Sequence, residues 1–203
     1  MGSFNVLEAA AWNRVGRVIF MSSESVLGFA FSGGKIRPEY FPVDEHHPLR
    51  PLDPYGVSKM CGESMCEAFA RRGTLTTLCL RPPWIWVPEE SEIRKYRDLL
   101  ERPEAWPQTL WAYVHVADVA EAVASALVRE FAPGSSHTCF LSARENWTGQ
   151  DWRELARRYY PGTRILEPER AGPYSLLSHQ QASTLLGFQP RYSLHDLPGL
   201  EHS

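Results

Sequence analysis

No stretch of the 203 residues supplies 18 consecutive apolar positions, and the N-terminus MGSFNVLEAA has neither a basic leader nor a long apolar stretch behind it. No membrane-crossing helix and no export signal is therefore expected. Val6 breaks the myristoylation pattern that Met1-Gly2 begins. Basic runs are absent too: none exceeds the pairs Arg71-Arg72 and Arg157-Arg158, and 21 basic residues face 24 acidic ones for a net charge of -3. That balance excludes a phosphate-backbone or anionic-lipid surface, so neither nucleic acid nor membrane is expected as a partner. Cysteine is sparse. Cys61, Cys66, Cys79 and Cys139 fit neither a zinc pattern nor a dense disulfide framework, and they read as reduced, mostly packed thiols of a cytoplasmic protein. The sequon Asn146-Trp147-Thr148 has meaning only in a secreted chain and is read as coincidence. Metal sets are incomplete: His46-His47 and His115 with Asp118 each fall short of a ligand shell.

What is present is ample apolar material. Hydrophobic residues make up 43% and aromatics 12% of the chain, enough to close one substantial core with a small second lobe. Val6, Leu7, Ala10 and Ala11 recur at helical spacing over residues 3–13, and Asn13 to Gly16 then hand over to the apolar run RVIFMSS. Because Val18 to Met21 are apolar without alternation, that strand is expected to be covered on both faces. Residues 27–52, rich in Gly, Pro and aromatics, read as a long functional loop. Asp53 can cap the next helix with Pro54 at its first position, and Val57, Met60, Cys61, Ser64, Ala68 and Phe69 mark its apolar face up to Gly73. TLTTLCLR is the second strand.

This order predicts an α/β fold: part of a Rossmann-type, doubly wound parallel sheet over residues 1–130, with a small C-terminal α/β lobe over 131–203. Within the first part SEIRKYRDLLER and HVADVAEAVASALVRE read as helices, with a short strand LWAYVHV between them and a lobe insertion around 84–110. In the second, TCFLSA reads as a strand, and TGQDWRELARRYY and SHQQASTLLG as helices. Ligands of such sheets bind beyond the carboxyl ends of the strands, where Ser22, Ser23, Arg81, Pro82 and Pro83 lie.

Between those strands DPYGVSK sets Tyr55 and Lys59 four residues apart, on one helix face. A free phenol, with a pKa near 10, is a poor base at neutral pH. A cation about 4 Å away, at an effective dielectric of about 20, contributes roughly 4 kcal/mol, near three pKa units. Such a tyrosine can exchange a proton with a substrate hydroxyl or carbonyl near neutral pH. The alternative is a solvated helix face. Against it, the chain has only three lysines, using arginine where a fixed charge suffices, and one of the three stands here. Ser22, Ser23 and Ser25 offer a hydroxyl at the first strand's end, or are turn formers. Trp84 and Trp86 line a pocket or belong to the core.

These residues resemble the extended short-chain dehydrogenase/reductases, the NAD-dependent epimerase/dehydratase family, through nearly the whole chain. GSFNVLEAA is similar to that family's first helix here, RVIFMSSESVLG to its serine strand, DPYGVSK to its Y-x-x-x-K helix, LRPPWIWVP to its R-P-x-x-V-x-G-P loop and YVHVADVAEA to a late strand-to-helix joint. The resemblance implies that Ser23 is the catalytic hydroxyl, Tyr55 the proton-transfer residue, and Lys59 the group that lowers the phenol's pKa and holds the nicotinamide ribose. Pro83 is implied beside the nicotinamide, with Ser23, Tyr55 and Lys59 sharing contacts to the cofactor, and Ser25 and Trp84 are implied toward the substrate. The implied cofactor is NAD, with NADP possible, the substrate a small, sugar-like molecule, and the assembly a homodimer through residues 3–13 and 54–71. Trp84 and Leu27 stand where nucleotide-sugar members commonly have Asn and Tyr. The family's G-x-x-G-x-x-G loop is absent, so the chain is expected to be N-terminally truncated and to bind cofactor weakly alone. A non-catalytic relative keeping the fold for protein contacts is the rival reading.

Overall fold

The computed structural model describes residues 2–167 and 169–197. Helix α1 (Gly2–Trp12) leads through a tight turn into β1 (Arg17–Met21). The long loop that follows opens with a 3-10 turn at Glu24–Leu27 and carries a two-residue strand, β2 (Tyr40–Phe41). Helix α2 (Pro54–Arg72) begins as its sequence predicts, with the Asp53 carboxylate accepting from the Gly56 amide at 2.8 Å and proline at the first turn. Strand β3 (Thr76–Arg81) lies parallel between β1 and a third strand, giving one sheet in which Ile19 pairs with Leu78 and Leu78 with His137.

All six residues of β3 are buried, whereas each residue of β1 is only partly covered. The expected cover on both faces is present, Val18 and Phe20 packing in one cluster with α1 and α2, and Ile19 and Met21 in another with a later helix (Val116–Val128). β1 is less buried than β3 because, among the described residues, it pairs along one side only, with β3. The apolar face expected for α2 is corrected. Val57, Cys61 and Ser64 are exposed, and the buried stripe is Gly56, Gly62, Glu63, Cys66, Phe69 and Ala70. Small residues win this face because the helix presses on the sheet: a Cβ on Gly62 would stand 2.3 Å from Phe20 Cζ.

After β3 come β4 (Trp84–Trp86), helix α3 (Glu90–Glu101), β5 (Tyr113–His115) and helix α4 (Val116–Val128). β4 and β5 form a parallel pair of their own. The His115 ring caps α4 by accepting from the Ala117 amide at 3.1 Å, so this histidine has a structural partner. Arg17, at the start of β1, reaches the far end of the same helix, donating to the carbonyls of Ala126, Leu127 and Arg129 at 2.7, 2.6 and 2.6 Å.

Next are β6 (Ser136–Phe140), helix α5 (Trp152–Tyr159), β7 (Arg164–Ile165) and helix α6 (Gln180–Leu186). β6, read from the sequence as opening the C-terminal lobe, is the third strand of the main sheet, hydrogen-bonded to β3. Helix α6 returns to that sheet too, with Ala182 and Leu186 in one cluster with Leu80 and Cys139. The lobe core is instead built from long-range aromatic contacts: Trp86 stacks on Tyr96 with centroids 4.2 Å apart, and Trp111, Trp147 and Trp152 are buried with them. Each such pair contributes about 0.5–1.5 kcal/mol beyond area burial. β2 and β7 tie the long loop to this lobe.

Candidate active site

At the carboxyl ends of β1 and β3 the chain opens into a cleft of about 550 Å³. Its walls include Ser23, Ser25, Tyr55, Lys59, Pro83 and Trp84, the residues that the resemblance assigns to catalysis, cofactor and substrate, whereas Arg81 and Trp86 are not among them. Ser22 and Ser23, just past the end of β1, both reach the lining, but the Ser22 hydroxyl is committed, donating to the Glu63 carboxylate at 2.5 Å, and Glu63 is held by two bonds from Arg81 at 2.8 and 2.7 Å. This pair is buried, so Arg81 serves the joint between α2 and β3 and does not line the cleft. The Ser23 hydroxyl donates to Ser25 Oγ at 3.1 Å and accepts from the Ser25 amide at 3.2 Å. Gly28 ends the turn at φ 86, with the Arg50 carbonyl 2.1 Å from where a Cβ would stand, so the turn closes only with glycine.

Tyr55 sits in the first turn of α2, 49% exposed, with its ring toward the cleft mouth. Lys59, one turn on, donates from Nζ to the Met21 carbonyl at 2.7 Å, and the same nitrogen is 5.4 Å from the Tyr55 ring centroid. The helix periodicity thus brings the two side chains together as the sequence predicts.

Glu24, which sequence reasoning missed, also lines the cleft, along with Ala30, Phe31, Trp106 and Thr109. Burial, helped by the nearby Asp53 carboxylate, pushes the Glu24 carboxyl up to about 8. The available signal was its place directly after Ser23 at a strand end. Trp84, left open between pocket and core, is half-buried with one edge in the cleft, while Trp86 is fully buried. His47, like His115, has structural partners: its ring accepts from the Glu39 amide at 3.0 Å and packs between Phe29 and Tyr40.

A hydroxyl, a phenol and an ammonium thus line the same cleft as Pro83. Among the described residues that line it there is no arginine and no glycine-rich helix start, and so no pyrophosphate cradle.

The sequence profile described as the NAD dependent epimerase/dehydratase family matches residues 1–138. A UDP-glucose 4-epimerase of Streptomyces lividans is 28% identical over 93% of this chain and 62% of its own length. An L-arabinose 1-dehydrogenase (NAD(P)(+)) of Haloferax volcanii is 31% identical over 54% of this chain and 44% of its own. The chain therefore spans less than two thirds of either relative. Among solved structures, a short-chain dehydrogenase/reductase superfamily protein from Agrobacterium tumefaciens with bound NAD superposes at a TM-score of 0.64, with 22% identity, over 95% of this chain and 67% of that one. That likeness shows the fold: an α/β, partly Rossmann-type sheet. With its profile matched over 138 residues, this chain belongs to the NAD dependent epimerase/dehydratase family.

Proposed function

We propose that this chain carries the catalytic and substrate-binding part of an NAD-dependent oxidoreductase or epimerase, with NADP as an alternative cofactor, acting on a hydroxyl or carbonyl of a small sugar-like molecule. The observation that carries this reading is the convergence of Ser23, Tyr55 and Lys59 on one cleft. Tyr55 takes the proton of the substrate hydroxyl, Ser23 hydrogen-bonds the same oxygen, and Lys59 sets a positive charge beneath the phenol. Bound NAD supplies the hydride acceptor. Pro83 borders the nicotinamide, and Ser25 positions Ser23 through its amide and hydroxyl. Relatives named for a nucleotide-sugar epimerisation and for a sugar dehydrogenation support the substrate class.

The chain divides into a Rossmann-type part up to about residue 130, joined by β6 and α6 from beyond it, and a substrate lobe built from the rest. A homodimer through α1 and α2 belongs to the same proposal, since α1 presents Phe4, Val6 and Trp12 at 43%, 62% and 87% exposure. No helix of the described residues is long and apolar enough to cross a membrane. A cytoplasmic location is proposed from four free cysteines, three of them buried.

The test is NADH binding by fluorescence titration, followed by nicotinamide-linked turnover of a panel of sugars. NADH binding, weakened by the lack of a pyrophosphate cradle among the described residues, with Tyr55-dependent turnover at saturating cofactor is expected. Absence of both would favour a non-catalytic role in protein contacts.

A further inference from the structure

The substrate side of the cleft is poor in positive charge and rich in aromatic surface. Its charged side chains are Glu24 and Lys59, and the Lys59 ammonium already bonds the Met21 carbonyl. Backbone amides at the strand end are committed as well. Those of Glu24, Ser25, Val26 and Gly28 donate to Pro82 O, Ser23 Oγ, Ser23 O and Ser25 O at 3.0, 3.2, 3.3 and 3.1 Å. A diphosphate is held by several charge-assisted donors or a nest of free amides, and a carboxylate by a forked arginine. The lining provides none of these.

What it does provide is a wall of rings. Trp84 and Trp106 stand with centroids 6.3 Å apart, inclined at 59°, and Phe31 is 62% exposed beside the same opening. A hydroxylated ring compound has a polar rim and C–H faces, and an aromatic wall accepts such a face without needing charge. Glu24 meets the rim. Its carboxyl makes no hydrogen bond or ion pair with another described residue, and burial keeps it protonated to about 8, as one donor with acceptor capacity to spare.

We propose that this cleft selects an uncharged, hydroxyl-bearing ring substrate, such as a free neutral sugar, which lays one face on Trp84 and Trp106 and bonds Glu24 through a rim oxygen, and that it disfavours carboxylate sugars and nucleoside diphosphate sugars. This rests on the preceding reading only in placing the substrate in this cleft.

The experiment is calorimetric titration of the full chain, with and without NAD, using L-arabinose, glucuronate and UDP-glucose as probes. Arabinose is expected to bind at least about 10-fold more tightly than either charged probe, a difference of one decade in Kd. Trp106→Ala is expected to weaken arabinose several-fold. Glu24→Ala does the same, and Glu24→Gln, which keeps a donor, restores binding. Circular dichroism of each variant separates lost contacts from lost folding. Glucuronate or UDP-glucose binding as tightly as arabinose, no binding of any probe, or Trp106→Ala binding unchanged would overturn the proposal. Arabinose binding without turnover once NAD binding has been brought to saturation would instead sink the oxidoreductase reading and leave this one standing.

Discussion

Lys59 and Met21 are joined across 38 residues of chain by a bond from the ammonium to the last carbonyl of β1, at 2.7 Å. The bond fastens the start of α2 to the strand whose next residues face the cleft. Replacing Lys59 by Met keeps the stem beside Phe20 and removes the donor, leaving a half-buried carbonyl without its partner. Stability is expected to fall by about 1–3 kcal/mol in denaturant titration, with turnover falling further than that loss explains. An unchanged midpoint would mean that water replaces the ammonium.

Tyr55→Phe separates chemistry from folding. The phenol is 49% exposed and its hydroxyl makes no hydrogen bond within the described residues, so stability is expected to stay within about 0.5 kcal/mol. Turnover is expected to drop by at least about 10²-fold, the usual contribution of a positioned proton-transfer group. Equal rates in variant and parent would remove Tyr55 from the mechanism.

Glu63 carries a heavier structural role. Its carboxylate, buried beneath α2, accepts from Arg81 twice and from Ser22 once. Glu63→Ala strands a buried guanidinium and is expected to cost about 3–5 kcal/mol, whereas Glu63→Leu combined with Arg81→Met is expected to recover most of it. Urea melts of the single and double variants check both.

Glu24 gives the fold a pH signature. Its carboxyl titrates near 8 when folded and near 4.5 when unfolded, so between these values the unfolded chain has released a proton that the folded chain retains. Stability from this group is therefore highest below the unfolded value and falls as pH rises toward the folded one. Glu24→Gln is expected to flatten that slope and to raise the melting temperature at alkaline pH, at roughly 2–4 °C per kcal/mol regained, with no gain near pH 4. A pH-independent difference between the two proteins would show that Glu24 is already ionised when folded.

Trp12, 87% exposed on α1, tests the proposed dimer. Sedimentation of the parent at micromolar concentration is expected to give a dimer, and Trp12→Glu a monomer of unchanged helicity. A monomeric parent would leave that face without its proposed partner.

Local chemistry made much of this legible in advance. The Asp53-Pro54 start of α2, the Tyr55-Lys59 spacing and the serine at the end of β1 each depend on neighbours within one turn or one strand, and the structure brings them to one cleft. What depends on distant partners was not. WIW follows two prolines and resembled a loop, yet it forms β4 because β5, nearly 30 residues on, supplies its ladder. Arg81, expected at the ligand crevice, is instead paired with Glu63 by the sheet, a partner 18 residues away that no local pattern indicates, and Glu45, whose carboxylate accepts from the Phe140 amide at 2.7 Å, is the same case. β6 could not be assigned to a sheet, because strand order is set by crossovers that no local pattern encodes.

The guanidinium of Arg17 has a kinetic consequence. By closing three carbonyls at the end of α4, it ties the first residue of an edge strand to the last turn of a helix over a hundred residues later. In amide hydrogen exchange the two should open as one unit: the last turn of α4 cannot fray without freeing Arg17, and β1 cannot peel from β3 without uncapping α4. Arg17→Ala would split that unit into two, each exchanging at its own rate.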